Sequence, residues 1–471
     1  MTTLRYVTKR DGSKEPFDPL KIKRAIRKAV LAVKGSHRPS ATATLFTMEV
    51  VGKLKHRFSS QDAPHVETIQ DVVGDVLHHD LARGTGSISS RPESLWMAYM
   101  LYREGHRLVR NGDLEPDNFY PDTRPIDKIN ALRGWNREMG CDTVKGLNDW
   151  ALRRDMRELI VAAERRSDEE LIQVVEKLDS ALKEGRLKAI LMTGPSSSGK
   201  TVTTRRAVHL LSKLHRGIKF VPMEVDMYFR DNRYSETLYY DVDGKRVKDV
   251  NFELPETYDI PLFNEHLAAL LRGESIMVPR YNFSSGRREG ESHPLSLGEN
   301  EVLLIDCMHA LFPALTEAIP AEMKTKVFIE PLSVLSDSNG QPVYLTDIRL
   351  MRRLIRDVRM RGYPMATTLW HWHLVRKGER FILPYVHSAD IFIDSGLPYE
   401  TPVLKRFVEA EIKALLPLFE RNPDLFDGRE RAKRILRLLS QLHPASETHL
   451  DDIPPGSVLR EFIGGSMFFD K

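Results

Sequence analysis

The 471-residue sequence predicts an α/β protein, a doubly wound and mostly parallel sheet preceded by a small, mostly α-helical unit. Three observations predict it. Leu187–Thr193 is a short apolar strand that enters a glycine-bounded loop, Gly194-Pro-Ser-Ser-Ser-Gly199-Lys200-Thr201, and then a helix with Ala207, Leu210, Leu211 and Leu214 on it. Phe220–Val225 and Val302–Ile305 read as further strands, each ending in an acid, Asp226 and Asp306, and Lys326–Ile329 and Ile391–Ile393 continue the alternation. Strand and helix alternating in this way favour parallel pairing, with a site at the carboxyl ends of the strands. Residues 1–108 instead show helical periodicity.

The loop fits G-x-x-x-x-G-K-[ST] in the strand–loop–helix setting that pattern requires. Gly194 and Gly199 let the backbone curl, so that N–H groups around Ser196, Ser197 and Ser198 converge on a polyphosphate, helped by the positive end of the helix. Lys200 can bridge the β- and γ-phosphates, and Thr201 can offer its hydroxyl to Mg²⁺. ATP and Mg²⁺ are therefore the expected ligands. A strand-terminal Asp is as readily a helix cap as a functional acid. Two of them, Asp226 and Asp306, downstream of a phosphate loop favour metal binding and base catalysis.

Farther along, Arg349, Arg352, Arg353, Arg356, Arg359 and Arg361 crowd one helical stretch. It can be a solvated face, a nucleic-acid patch or a lid over the phosphates. The lid is favoured because guanidinium groups stabilise charge on a moving phosphoryl group, with Arg356 and Arg361 the catalytic candidates. A nucleic-acid patch would carry interleaved aromatics, which are lacking until Tyr363 and Trp370. Trp370-His-Trp372-His373 has a metal-like spacing, but aromatic packing is the stronger reading.

Composition bounds the rest. A hydrophobic fraction of 41% with 29% charged residues is ordinary for a soluble protein, and a net charge of +4 on this length points to neither nucleic acid nor membrane. Two distant cysteines, Cys141 and Cys307, suit a reducing cytoplasm. The start of the chain lacks an apolar signal core, and no run of about 18 apolar residues suggests a membrane span.

Residues 1–108 form the front unit. Tyr6–Asp18 reads as a hairpin turning at Asp11-Gly12, and Asp18 caps a helix with Pro19 at its first position and Ile22, Ala25, Ile26, Ala29 and Val30 on one face. Helices follow around 41–57, 66–77 and 92–107. Lys9, Arg10 and Lys21 can converge on an anion, or simply decorate a solvated hairpin. Residues 109–185 read as a helical linker: a turn-rich stretch, then charged amphipathic helices over 148–166 and 168–187, the second buried through Leu171, Ile172, Val175, Leu178 and Leu182.

Two resemblances sharpen these readings. Val7, Lys9, Arg10, Asp11, Gly12, Glu15, Phe17, Asp18, Lys21 and Ile22, then Glu67, Ile69, Gln70 and Val73, then Tyr99, Tyr102 and Arg103 closely resemble the ATP-cone, the nucleotide-sensing module of ribonucleotide reductases and their repressors. That resemblance implies that Val7, Lys9, Arg10, Glu15 and Lys21 line a site for ATP or dATP, and that the assembly is a homo-oligomer. Residues 186–471 are similar to the uridine kinase and phosphoribulokinase group of P-loop kinases, most of all to its bacterial TGS-linked branch. The match runs through the phosphate loop, Asp226-Met-Tyr-Phe229, Pro279–Glu289, Ile305–Leu311, Arg352–Asp357, Val375–Glu379 and Ser457–Ser466.

By that resemblance Asp226 accepts the proton of the attacking hydroxyl, and Tyr281, Phe283, Arg287 and Arg288 border the acceptor. Gly286 stands where uridine kinases place a pyrimidine-contacting histidine, Asn282 replaces an Asp, and Asp306-Cys307 replaces Glu-Gly. The expected activity is a cytoplasmic, ATP-dependent kinase acting on a nucleoside or similar ribosyl metabolite and regulated by ATP or dATP. A kinase of a sugar phosphate or phosphorylated acid, or a nucleotide-operated switch without an acceptor, are the alternatives.

Overall fold

The computed structural model describes residues 4–9, 14–31, 39–59, 62–83, 125–153, 155–332, 335–340, 343–379 and 381–469. The chain divides into two compact units, Met1–Pro121 and Asp122–Lys471. No helix among the described residues is long and apolar enough to cross a membrane.

In the first unit β1 (Tyr6–Thr8) pairs antiparallel with β2 (Lys14–Pro16), and α1 (Pro19–Leu31), α2 (Pro39–Arg57) and α3 (Val66–Arg83) follow. Asp18 accepts from the Leu20 N–H at 2.9 Å, the cap expected before Pro19. Ile22, Ile26 and Val30 recur at helical spacing and pack with Phe46, Val50, Leu54, Val73 and Leu77 into one core. The Asp11-Gly12 turn and the helix expected over 92–107, with Tyr99, Tyr102 and Arg103, lie outside the described residues.

The second unit is built on five parallel strands in the order β11 (Ile391–Asp394), β10 (Lys324–Glu330), β3 (Ala189–Thr193), β9 (Glu301–Asp306), β4 (Lys219–Pro222). β3 is central. The chain leaves it for β4 at one edge, returns through β9, and crosses to β10 and β11 on the other side, so the switch in winding direction falls at β3. Ile190 and Met192 face one side and Ala189 and Leu191 the other, the period of two that a sheet covered on both faces requires.

One face is covered by α6 (Met156–Lys183) and α7 (Lys200–Leu214), the other by α8 (Ile260–Leu271) through Phe263, Leu267 and Leu270. α6 corrects the linker reading. It is one continuous helix after α4 (Ile126–Met139) and α5 (Val144–Leu152), not two helices meeting near Ser167, and its Leu171, Val174, Val175, Leu178 and Leu182 belong to the sheet core. Ile172 is 48% exposed, one residue off the stripe, and Val174 takes the place assigned to it.

Two hairpins were not anticipated: β5 (Thr237–Val242) with β6 (Lys245–Val250), and β7 (Ile276–Asn282) with β8 (Arg287–Leu295). Four helices, α9 (Leu345–Arg356), α10 (Met365–Glu379), α11 (Glu400–Arg421) and α12 (Phe426–Leu439), make a second core beside the sheet.

Candidate active site

β3 delivers the chain to the phosphate loop, and the loop's glycines are sterically required. A Cβ on Gly194 would stand 2.0 Å from the Ile329 carbonyl oxygen of the neighbouring strand. Gly199 has φ +85° and caps α7, and a Cβ there would meet Val458 at 2.4 Å. Ser197 is held at φ 60°, a conformation seldom taken by a residue with a side chain. Lys200 folds back, its ammonium donating to the carbonyls of Gly194 at 3.0 Å and Pro195 at 3.4 Å. The Ser198 hydroxyl is buried without a partner.

α9 underlies this loop. Arg349 donates to the Ser196 carbonyl at 3.1 Å and to Glu379 at 2.5 Å; Arg352 donates to the Ser395 carbonyl at 2.8 Å and to Glu400 at 2.6 Å, and reaches the Ser197 carbonyl at 3.5 Å. Both side chains are fully buried. Arg353 donates to the Ser196 hydroxyl at 2.7 Å and to Glu253 at 3.1 Å. Arg356 spans the Ser197 hydroxyl and Glu461, each at 3.1 Å. These four arginines form the wall that shapes the loop, not a lid. A buried guanidinium needs a carboxylate and carbonyls around it, and those partners fix it in place. Burial, with Arg361 nearby, brings the Arg356 guanidinium down to about 10. Arg361 differs: its side chain is 45% exposed, paired with Asp357 at 3.1 Å, and its charge reaches Asp226.

The carboxylates converge beside the loop. Asp306 ends β9 as expected, with Met192 as its register partner in β3. Asp226 does not end a strand. β4 stops at Pro222, which cannot donate to the ladder, and Asp226 sits in a 3₁₀ turn, Val225–Tyr228. Both residues are exposed to solvent at one side, with protein atoms close around their carboxylates. Desolvation pushes Asp306 up to about 6, against the pull of Lys200 and with the repulsion of Glu461 and Asp226. Desolvation also raises Asp226; a hydrogen bond from Tyr258 opposes it, Glu253 adds to it, and Lys200 and Arg361 oppose it.

An aromatic cluster adjoins Asp226. Phe229 stacks on Tyr258 with centroids 4.4 Å apart and meets Tyr281 at 5.4 Å and Phe283 at 6.2 Å. Of the residues expected at the acceptor, Tyr281 is buried and Phe283 is 57% exposed. Arg287 is exposed on the hairpin, whereas Arg288 is engaged, donating to Asp259 at 3.0 Å and to the carbonyls of Tyr228 at 3.2 Å and Phe229 at 3.3 Å. Gly286 has φ +66°, and a Cβ on it would stand 1.9 Å from Asn232 Nδ2. Asn232 accepts from the Tyr281 hydroxyl at 2.7 Å and donates its backbone N–H to the Gly286 carbonyl at 2.8 Å. An asparagine from another loop thus fills the space over Gly286.

In the first unit Val7 is the register partner of Glu15, and Glu15 binds Lys9 at 2.9 Å and Lys21 at 2.8 Å. Lys21 and then Lys9 hold the Glu15 carboxyl below its usual range. Four of the five residues expected there are therefore neighbours. Arg10 lies outside the described residues.

Sequence reasoning gave no role to Glu253, Tyr258, His309, His371 or Glu461, although His309 and Glu461 lie in segments that carry the kinase resemblance. Glu253 joins Arg353 to His371, and its carbonyl meets His309 Nε2 at 3.0 Å. His371 and His373 serve different partners, Asp249 at 2.7 Å and the Tyr240 hydroxyl at 3.1 Å. Glu461 accepts from the Val202 N–H in the first turn of α7 at 3.2 Å. The available signal was Asn251–Asp259, an acid- and aromatic-rich stretch with no apolar periodicity.

Parts of the chain are similar to known proteins. Residues 189–401 match the family model of the Phosphoribulokinase / Uridine kinase family, and residues 5–108 match that of the ATP cone domain. A uridine kinase from Deinococcus deserti is 28% identical over 207 residues, covering 44% of this chain and 86% of that protein. A uridine kinase from Lactobacillus helveticus is 27% identical over 207 residues, 44% of this chain and 85% of that one. Uridine-cytidine kinase B from Dictyostelium discoideum is 27% identical over 207 residues, 44% of this chain and 73% of that one. With a phosphate loop at the central strand of a parallel sheet and these matches on either side of the chain's division, the protein carries an ATP-cone domain ahead of a kinase domain similar to the phosphoribulokinase/uridine kinase family, and it is an ATP-dependent small-molecule kinase.

Proposed function

We propose that the kinase domain transfers the γ-phosphate of ATP to a hydroxyl of a nucleoside or similar ribosyl metabolite, and that the ATP-cone adjusts this activity to ATP or dATP. The observation that carries the reading is the convergence of Lys200, Asp226 and Asp306 beside an aromatic cluster whose Phe283 is exposed. Asp226 takes the proton of the attacking hydroxyl while Lys200 leaves its loop carbonyls for the β- and γ-phosphates. The loop amides around Ser196–Gly199 hold the phosphate chain, and Arg361, with Arg356 behind it, faces the charge that spreads over the moving group. Thr201 and Asp306 are hard oxygen donors of the kind Mg²⁺ prefers, and the ion, when bound there, would neutralise phosphate charge. Tyr281 and Phe283 border the acceptor ring, and Arg287 lies at its rim.

The named relatives phosphorylate uridine or cytidine by their names. Here Asn232 occupies the space over Gly286, so a side chain at that position has no room to meet a base. Uridine and cytidine are accordingly expected to be poor acceptors beside another ribosyl compound, because a polar group left without its partner costs orders of magnitude in discrimination. Incubating a metabolite pool with the protein and ATP, with Lys200→Ala as blank, and reading products that gain one phosphate tests this. Efficient phosphorylation of uridine at micromolar concentration would overturn the specificity; no phosphorylated ribosyl compound would overturn the acceptor class.

A further inference from the structure

Tyr258 is the side chain that touches Asp226. Its hydroxyl lies 3.4 Å from Asp226 Oδ1, a length with room to tighten when a reacting hydroxyl arrives. Its ring is buried and stacked at 4.4 Å and 17° on Phe229, and His309 stands edge-on at 6.0 Å. The backbones that carry the two residues are tied together. The Arg230 N–H donates to the Thr257 carbonyl at 2.7 Å, and the Asp259 N–H to the Tyr228 carbonyl at 2.8 Å. These bonds flank Phe229 and Tyr258 and hold Tyr258 beside the turn that carries Asp226.

We propose that Tyr258 is a positioning residue for Asp226, its hydroxyl donating to the carboxylate and holding it in one orientation toward the acceptor. The other groups whose charge reaches Asp226 are Glu253, Lys200, Arg361, Asp306 and Cys307, and none of them has a hydrogen bond to it among the described contacts. A carboxylate on a short 3₁₀ turn with an open edge has rotameric freedom, and a buried donor on a tethered neighbour removes it. The proposal rests on Asp226 being the base, and the two can fail separately.

Tyr258→Phe keeps the ring and its stack and removes only the hydroxyl. With ATP and an equimolar pool of the four ribonucleosides as acceptor probe, kcat falls about tenfold while KM for ATP is unchanged. In an Asp226→Asn background the same substitution costs nothing further, because the residue acts through a group already removed. An equal loss in both backgrounds overturns the proposal, since Tyr258 would then act on the fold. Wild-type turnover in Asp226→Asn sinks the base reading instead. A second readout needs no turnover. At one pH common to all the proteins compared, the ¹³C-carboxyl NMR signal of Asp226, identified by its loss in Asp226→Asn, shifts in Tyr258→Phe. It moves the opposite way when 3-fluorotyrosine, a stronger donor, replaces Tyr258. A signal identical in all three proteins overturns the proposal.

Discussion

Cations gather twice in this chain, and the two gatherings are built in opposite ways. Around the phosphate loop, Arg349 and Arg352 are fully buried, each answered by a carboxylate and by carbonyls. In the ATP-cone, Lys9 and Lys21 are 47% and 55% exposed and share one carboxylate, Glu15. A guanidinium buried with both terminal nitrogens engaged is architecture: it dictates where the loop carbonyls point. An exposed ammonium on a flexible stem can exchange its carboxylate for a phosphate at little cost. The loop wall is therefore held by its own internal partners, whereas the front lysines keep a solvent-exposed, exchangeable one.

The largest expected effect lies where chemistry is done. Asp226→Asn should lower turnover about 10²- to 10⁴-fold and spare ATP binding, while Lys200→Ala should lose both. Steady-state kinetics with calorimetry separates them, and near-normal turnover in Asp226→Asn would remove the base from the mechanism.

Next is the contrast itself. Arg352→Ala strands Glu400 in a dry interior and should cost about 3–5 kcal/mol, read as a lowered denaturant midpoint. Lys9→Ala should leave that midpoint where it is. Equal sensitivity at both positions would erase the distinction between wall and sensor.

Regulation is the third test. Replacing Lys9 and Arg10 together by Ala should remove one of two nucleotide-binding events per chain and flatten the response to ATP or dATP, a coupling that typically spans about 5- to 150-fold. A double mutant that still binds two nucleotides would make the front domain a docking module.

The smallest effect is a pH dependence. Burial lowers the His371 imidazole, but Asp249 and Glu253 outweigh it and lift the group to about 9, above its ordinary 6.5. A group raised on folding stabilises fully below its unfolded value, and that stability is lost as pH rises through about 9. Thermal melts should show a decline over that window which His371→Asn flattens.

Much of this was legible in the chain. The phosphate loop announces itself because glycine, lysine and threonine at that spacing serve one backbone geometry. Asp306 and the core strands follow from apolar runs that end in an acid. The partners of Tyr258 and Glu461 were not legible, since each contacts residues far away in sequence: Asp226 for the first, Val202 and Arg356 for the second. The arginine helix was read correctly as clustered charge and incorrectly as a lid, because spacing reveals that arginines share a helix but not which carboxylates await them.

Local chemistry, then, determined the strand–loop–helix unit, the capped front helix and the acids of the site, all of which depend on residues within a few positions of one another. Tertiary structure alone decided that α6 belongs to the sheet core, that Asn232 fills the space over Gly286, and that Arg349 and Arg352 turn inward. An amphipathic stripe or a guanidinium is compatible with several environments, and only the packing of the whole unit selects among them.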